Sequence, residues 1–143
     1  MSEVSVIMEI RRAWGELGIP DKDAFQFLEI EAGEDAVECL CGKRFDEVDT
    51  ACEGFEAITL MWLPPKAAVY YLATYLCDVL EARARARRGE YSSLAWGVLA
   101  RQNIFTLLDS RNRAEDMLQW LTTKCKLALA RALVLIHRGH QFF

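Results

Sequence analysis

The chain predicts an all-α fold, a single-domain bundle of about six helices with a long C-terminal helix. Three observations carry that expectation. Apolar residues recur at three- and four-residue spacing, while strand-like alternation is confined to the ambiguous piece Phe25-Gln-Phe27-Leu-Glu-Ile30. Glycines, prolines and capping residues divide the periodic stretches at helix-like lengths. The 143 residues are 52% apolar, enough for one buried core, and no internal repeat is visible.

Residues 3–17 place Val6, Ile10, Ala13, Trp14 and Leu17 on one helical face, with Ser2 as cap and Gly18 and Pro20 as the stop. Asp21 offers a fresh N-cap for a helix that buries Phe25, Leu28 and Ala32 before Gly33. A short helix follows from Asp35 to Cys41, with Ala36, Val37 and Leu40 inward and Gly42 as its end. In the loop beyond it, Phe45 and Val48 are expected to pin the chain to the core.

Asp49 or Thr50 caps the next helix, which buries Ala51, Phe55, Ile58 and Trp62. Leu63-Pro64-Pro65 terminates it, because a residue before proline avoids the α region. Proline is welcome in a first turn, so another helix starts at Pro65 and runs to Arg88, ended by Gly89. Its wide stripe of Ala68, Tyr71, Leu72, Tyr75, Leu76, Val79 and Leu80 suits the centre of the bundle. A shorter helix from Leu94 to Arg101 is capped by Ser92 or Ser93, and Ile104–Leu108 reads as a connector. Asp109-Ser110 then caps the expected last and longest helix, Arg111 to His137. Its stripe is Ala114, Met117, Leu118, Leu121, Cys125, Ala128, Leu129, Ala132, Leu133 and Ile136.

No run approaches the ~20 apolar residues of a membrane span, and the first residues lack a basic region before a long apolar core. A cytoplasmic protein with no membrane partner is therefore expected. Cys39, Cys41, Cys52, Cys77 and Cys125 are odd in number and widely spaced, which reads as free thiols in a reducing compartment. Cys39-Leu-Cys41 with Cys52 lacks the paired spacing of a zinc motif, and Gly139 separates His137 from His140, so no metal is expected.

The net charge of −4 is unevenly spread. Residues 1–60 hold 15 carboxylates against 5 Lys/Arg, and residues 61–143 hold 6 against 12. Twelve carboxylates fall between Asp21 and Glu56. Such a block attracts cationic surfaces and repels nucleic acid. The alternative is that the two halves neutralise each other across the fold. Arg83, Arg85, Arg87 and Arg88 are spaced so that a helix spreads them around its end, where they suit the dipole. Nucleic acid is not expected as a partner.

No catalytic constellation is visible. Gly-rich phosphate loops, GxSxG and HExxH are absent, and no carboxylate pair is marked out among the many acids. His137 and His140 sit at the chain's end and read as capping or surface residues more readily than as partners of a cysteine nucleophile. Tyr70, Tyr71, Tyr75, Trp62 and Trp96 read as core residues whose polar tips reach the surface, with a small-molecule cavity as the alternative. A non-enzymatic protein without a cofactor is expected.

Three stretches carry a family resemblance: Gly42-Lys43-Arg44-Phe45-x-Glu47, then Leu60-x-x-Leu63-Pro64-Pro65-x-Ala67-x-x-Tyr70-Tyr71-Leu72-x-x-Tyr75-Leu76, then Phe105-x-Leu107-Leu108-Asp109-x-x-x-Arg113-Ala114-x-x-Met117-Leu118-x-Trp120-Leu121. Over about residues 40–121 the chain resembles a family of small, uncharacterised bacterial helical proteins that are similar to immunity proteins encoded beside antagonistic toxins. It departs from that family at Phe45, where tryptophan is commoner, and at Asp109-Ser110, where the cap is Thr-Pro-like. The resemblance implies an all-α fold and brings no catalytic residues.

The expected function is a cytoplasmic immunity protein that binds a cognate toxin and blocks its active site. A toxin acting on nucleotides or nucleic acids has a basic active-site cleft, which an acidic helical surface can occupy in place of phosphate. The acids expected to do so are Glu31, Glu34, Asp35, Glu38, Asp46, Glu47 and Asp49. The alternative is a small regulatory or adaptor protein, self-associating as a homodimer through its acidic and basic faces.

Overall fold

The computed structural model describes residues 1–25, 37–49, 60, 63–92 and 94–138. These residues form helices and turns with no strand among them. The helices are α1 (Glu3–Trp14), a 3-10 turn (Lys22–Phe25), α2 (Pro65–Arg87), α3 (Leu94–Asp109), α4 (Arg111–Leu118) and α5 (Thr123–Arg138); residues 37–40 are also helical. The all-α expectation holds.

α1 begins where the Ser2 hydroxyl accepts the Ser5 amide at 3.1 Å and the Ser5 hydroxyl accepts the Ser2 amide at 3.1 Å. This reciprocal cap satisfies two donors that a helix start leaves unpaired. Val6, Ile10, Ala13 and Trp14 are buried, as their spacing predicts. The helix stops at Trp14, three residues before the expected Leu17, because Gly15 begins tighter turns through Leu17.

α2 is the central element and the longest helix. It packs against α1, α3, α4, α5 and the 3-10 turn. Every residue from Ala67 to Cys77 is buried, together with Val79 and Leu80, so the helix is apolar around most of its circumference. Truncating one of its fully buried leucines would cost about 2–5 kcal/mol. Gly89 ends it at φ 83°, with its amide on the Ala86 carbonyl and that of Glu90 on Arg85. Only this left-handed residue lets both bonds close, which explains the glycine.

Two further boundaries differ from the sequence expectation. Leu94 to Asp109 is one continuous helix, without the connector expected at Ile104–Leu108. Ala100, Ile104 and Leu107 continue a single buried stripe across Gln102-Asn103, where no glycine or proline intervenes. The expected helix Arg111–His137 is instead divided into α4 and α5. Trp120 and Leu121 turn tightly, and the Thr122 hydroxyl accepts the Cys125 amide at 3.2 Å, capping α5 anew. The expected stripe survives the break: Met117, Leu121, Cys125, Ala128, Leu129, Ala132 and Ile136 are all buried.

Phe45 is buried and Val48 packs against the core, as expected, whereas Val37 is exposed. The expectations for Leu28, Ala32, Ala51, Phe55, Ile58 and Trp62 lie outside the described residues. Cys41, Cys77 and Cys125 are free thiols, but Cys39 is disulfide-bonded. The expectation of five free thiols therefore fails at Cys39. Pairing depends on which cysteines the fold brings within about 4–7 Å, which sequence spacing does not report.

Candidate acidic interface

The loop after residues 37–40 is held from beneath by three hydroxyls of α2. Gly42 reverses the chain at φ 78°. The Tyr71 hydroxyl, buried with its ring, lies 2.6 Å from the Leu40 carbonyl and 2.8 Å from that of Lys43. Tyr70 accepts the Phe45 amide at 3.3 Å, and the Thr74 hydroxyl donates to the Phe45 carbonyl at 2.7 Å. Phe45 also meets the Tyr70 ring edge-on at 5.9 Å. Lys43 turns its ammonium onto the carbonyls of Glu38 and Cys39 at 3.2 and 3.1 Å, capping the helical turn. Burial pushes the Tyr70 and Tyr71 phenols upward, so both remain protonated donors or acceptors at neutral pH. Their polar tips thus serve the loop, and their rings belong to the core.

This support carries Asp46, Glu47 and Asp49, all exposed residues. Arg44 grips Asp46 with two bonds of 3.0 and 3.3 Å, and lies 3.8 Å from Glu47. The Arg44 guanidinium holds the Asp46 carboxyl below its ordinary range, against the opposing effect of burial. Glu38 is exposed on the preceding helical turn. The structure therefore brings Asp46, Glu47 and Asp49 onto one clamped loop. Glu31, Glu34 and Asp35 lie outside the described residues.

A cleft of about 120 Å³ opens beside this loop, lined by Arg11, Phe45, Asp46, Val48, Thr74, Cys77, Asp78 and Glu81. Asp78 and Glu81 were not among the acids singled out in the sequence. Their signal is a carboxylate breaking an otherwise apolar stretch of α2. Asp78 accepts the Trp96 indole N–H at 2.7 Å, tying α2 to α3. Burial pushes its carboxyl up to about 6; the Trp96 bond opposes the shift and Glu81 adds to it. Arg11 is already bound to Glu81 at 3.0 Å. The Cys77 thiol is pushed up to about 12 by burial, which leaves no thiolate for nucleophilic chemistry at neutral pH. Among the described residues no group of three or more His, Cys, Asp or Glu is placed to hold a metal ion.

Elsewhere the charge asymmetry is used inside the fold. α1 and the turn after it pair with the C-terminal half through Glu3–Arg87 at 2.6 Å, Glu9–Arg131 at 2.5 Å and Glu16–Lys124 at 3.1 Å, besides Arg11–Glu81. Neutralisation between the halves is therefore real for α1. The arginines of α2 do not form a common patch. Arg83 is 0% exposed and donates to the Ile136 carbonyl near the end of α5, Arg87 holds Glu3, and Arg88 lies 3.7 Å from Glu90. Arg113 reaches the carbonyls of Leu60 and Leu63, which precede the proline pair.

No helix among the described residues is long and apolar enough to cross a membrane. No known protein family, curated protein or solved structure matches the chain.

Proposed function

We propose that this protein is a non-enzymatic, cytoplasmic immunity protein, and that its acidic loop binds the basic active-site cleft of a cognate toxin. The observation that carries the reading is the clamp of Tyr70, Tyr71 and Thr74 on residues 40–45. A loop fixed in advance loses little conformational freedom on docking, so more of its contact energy reaches the complex. The acids it holds out are of the sign that a cleft built for phosphate attracts, and they speed encounter as well as fixing orientation. Glu38, Asp46, Glu47 and Asp49 are all exposed, and Arg44 pairs with both Asp46 and Glu47.

The reading of an adaptor that dimerises through opposite faces draws less support, because α1 and the turn after it already match three acids to cations of the same chain. The Cys39 disulfide runs against the cytoplasmic part of this reading, because the cytoplasm keeps thiols reduced. The test is co-expression. A protein captured from the source cells on this chain should arrest growth when expressed alone, and growth should return when this chain is expressed with it at 1:1 stoichiometry. A stable self-dimer with no toxic partner would overturn the reading in favour of the adaptor.

A further inference from the structure

A second hollow lies where the segment after α1, the first turns of α2 and the turn between α4 and α5 meet. It measures about 220 Å³ and is lined by Leu17, Gly18, Pro20, Lys66, Val69, Tyr70 and Trp120. An engineered apolar cavity of about 150 Å³ accepts benzene, so this one has room for a ring-sized body. Six of its seven lining residues present apolar surface, and Trp120 stands 46% exposed at its edge. The seventh, Lys66, holds its ammonium 5.2 Å from the centre of the Trp120 ring. Among the described residues no carboxylate pairs with Lys66.

The start of α2 adds to this cation. Pro64 caps it without a side-chain bond, so the positive end of a 23-residue helix lies beside Lys66. A recess rimmed by an aromatic face and by one cation that no carboxylate pairs with among the described residues has the two features that fix an amphipathic anion: an apolar wall for the body and a charge for the head.

We infer that this recess is a binding site for a small organic carboxylate with a ring-sized apolar body, its carboxylate on Lys66 and its ring against Trp120 and Val69. The site is separate from the acidic loop and would stand if the toxin-binding reading fell.

Benzoate, benzyl alcohol and benzylamine share one ring and differ in charge, which makes them suitable probes. The readout is the indole N–H resonance of Trp120, assigned by its loss in Trp120→Phe. Benzoate should move that resonance saturably in the millimolar range, the affinity that about nine heavy atoms support. Benzyl alcohol should bind about fivefold more weakly, the margin of one half-exposed ion pair, and benzylamine more weakly still. Lys66→Ala should lower benzoate to the level at which the same variant binds benzyl alcohol, so that the preference for benzoate is lost. The inference is overturned if no saturable shift occurs, if another indole responds instead, or if Lys66→Ala leaves the preference for benzoate intact.

Discussion

Replacing Asp78 with asparagine should stabilise the protein, against the usual direction of mutation. The Asp78 carboxyl is half-buried between α2 and α3, and its titration is pushed from an ordinary 3.8 up to about 6. A raised carboxylate value means that the folded state binds the proton more tightly than the unfolded chain does. Stability is therefore lost as pH rises from about 4 to about 6, and the full penalty is present above that window. The shift of about two units corresponds to about 3 kcal/mol at 1.36 kcal/mol per unit. The cleft beside Asp78 admits water, which screens the charge and lowers the expected penalty to about 2 kcal/mol. Asparagine keeps an oxygen for the Trp96 N–H at 2.7 Å and removes only the charge. Urea unfolding followed by circular dichroism should show Asp78→Asn more stable by about 2 kcal/mol at pH 7.5. The gain should shrink to about 0.5 kcal/mol at pH 4, where Asp78 is protonated in the folded state. Comparison at each pH cancels other titrations, such as that of Asp46, whose lowered value acts in the opposite direction. An Asp78→Asn protein of equal or lower stability at pH 7.5 would refute the reasoning.

Two further substitutions probe the supports of the fold. Tyr71→Phe removes the donor shared by the Leu40 and Lys43 carbonyls and should cost about 1–2 kcal/mol in urea unfolding. The same change should speed hydrogen exchange at the Phe45 amide; unchanged exchange there would mean that the loop is not held by this hydroxyl. Thr122→Ala removes the cap of α5 and should lower stability by about 1 kcal/mol, whereas Thr123→Ala, one residue inside the helix, should change it by less than half that.

The helices were legible where local signals suffice. Ser2, Gly42, Gly89 and Pro64-Pro65 mark boundaries through their own caps, backbone angles or missing N–H groups, and the stripe of α2 needs only periodicity. The break at Thr122 is not legible in sequence because the buried stripe keeps its period across it, and only a hydroxyl accepting the Cys125 amide marks a new start. Asn103 reads as a loop residue, yet its side chain accepts the Leu60 amide from a position inside α3. The candidate interface was legible as charge and not as geometry. Glu38, Asp46, Glu47 and Asp49 could be named from composition, but the clamp beneath them joins residues 25 to 31 positions apart. The cleft acids Asp78 and Glu81 gained meaning only once α1 and the loop were seen to close over them. The spreading of the arginines around the end of α2 was legible from their spacing, whereas the separate contacts they make were not.

The central claim is that the clamped acids engage a cationic protein. It is tested most directly by the association rate of the captured partner with the native chain and with Glu38→Lys/Glu47→Lys/Asp49→Lys, each checked for helicity by circular dichroism. The account predicts that the native rate falls steeply between low and physiological salt. The triple variant should associate at least about tenfold more slowly at low salt and show a flatter salt dependence. A folded variant that associates as fast as the native chain, with the same salt dependence, would contradict it.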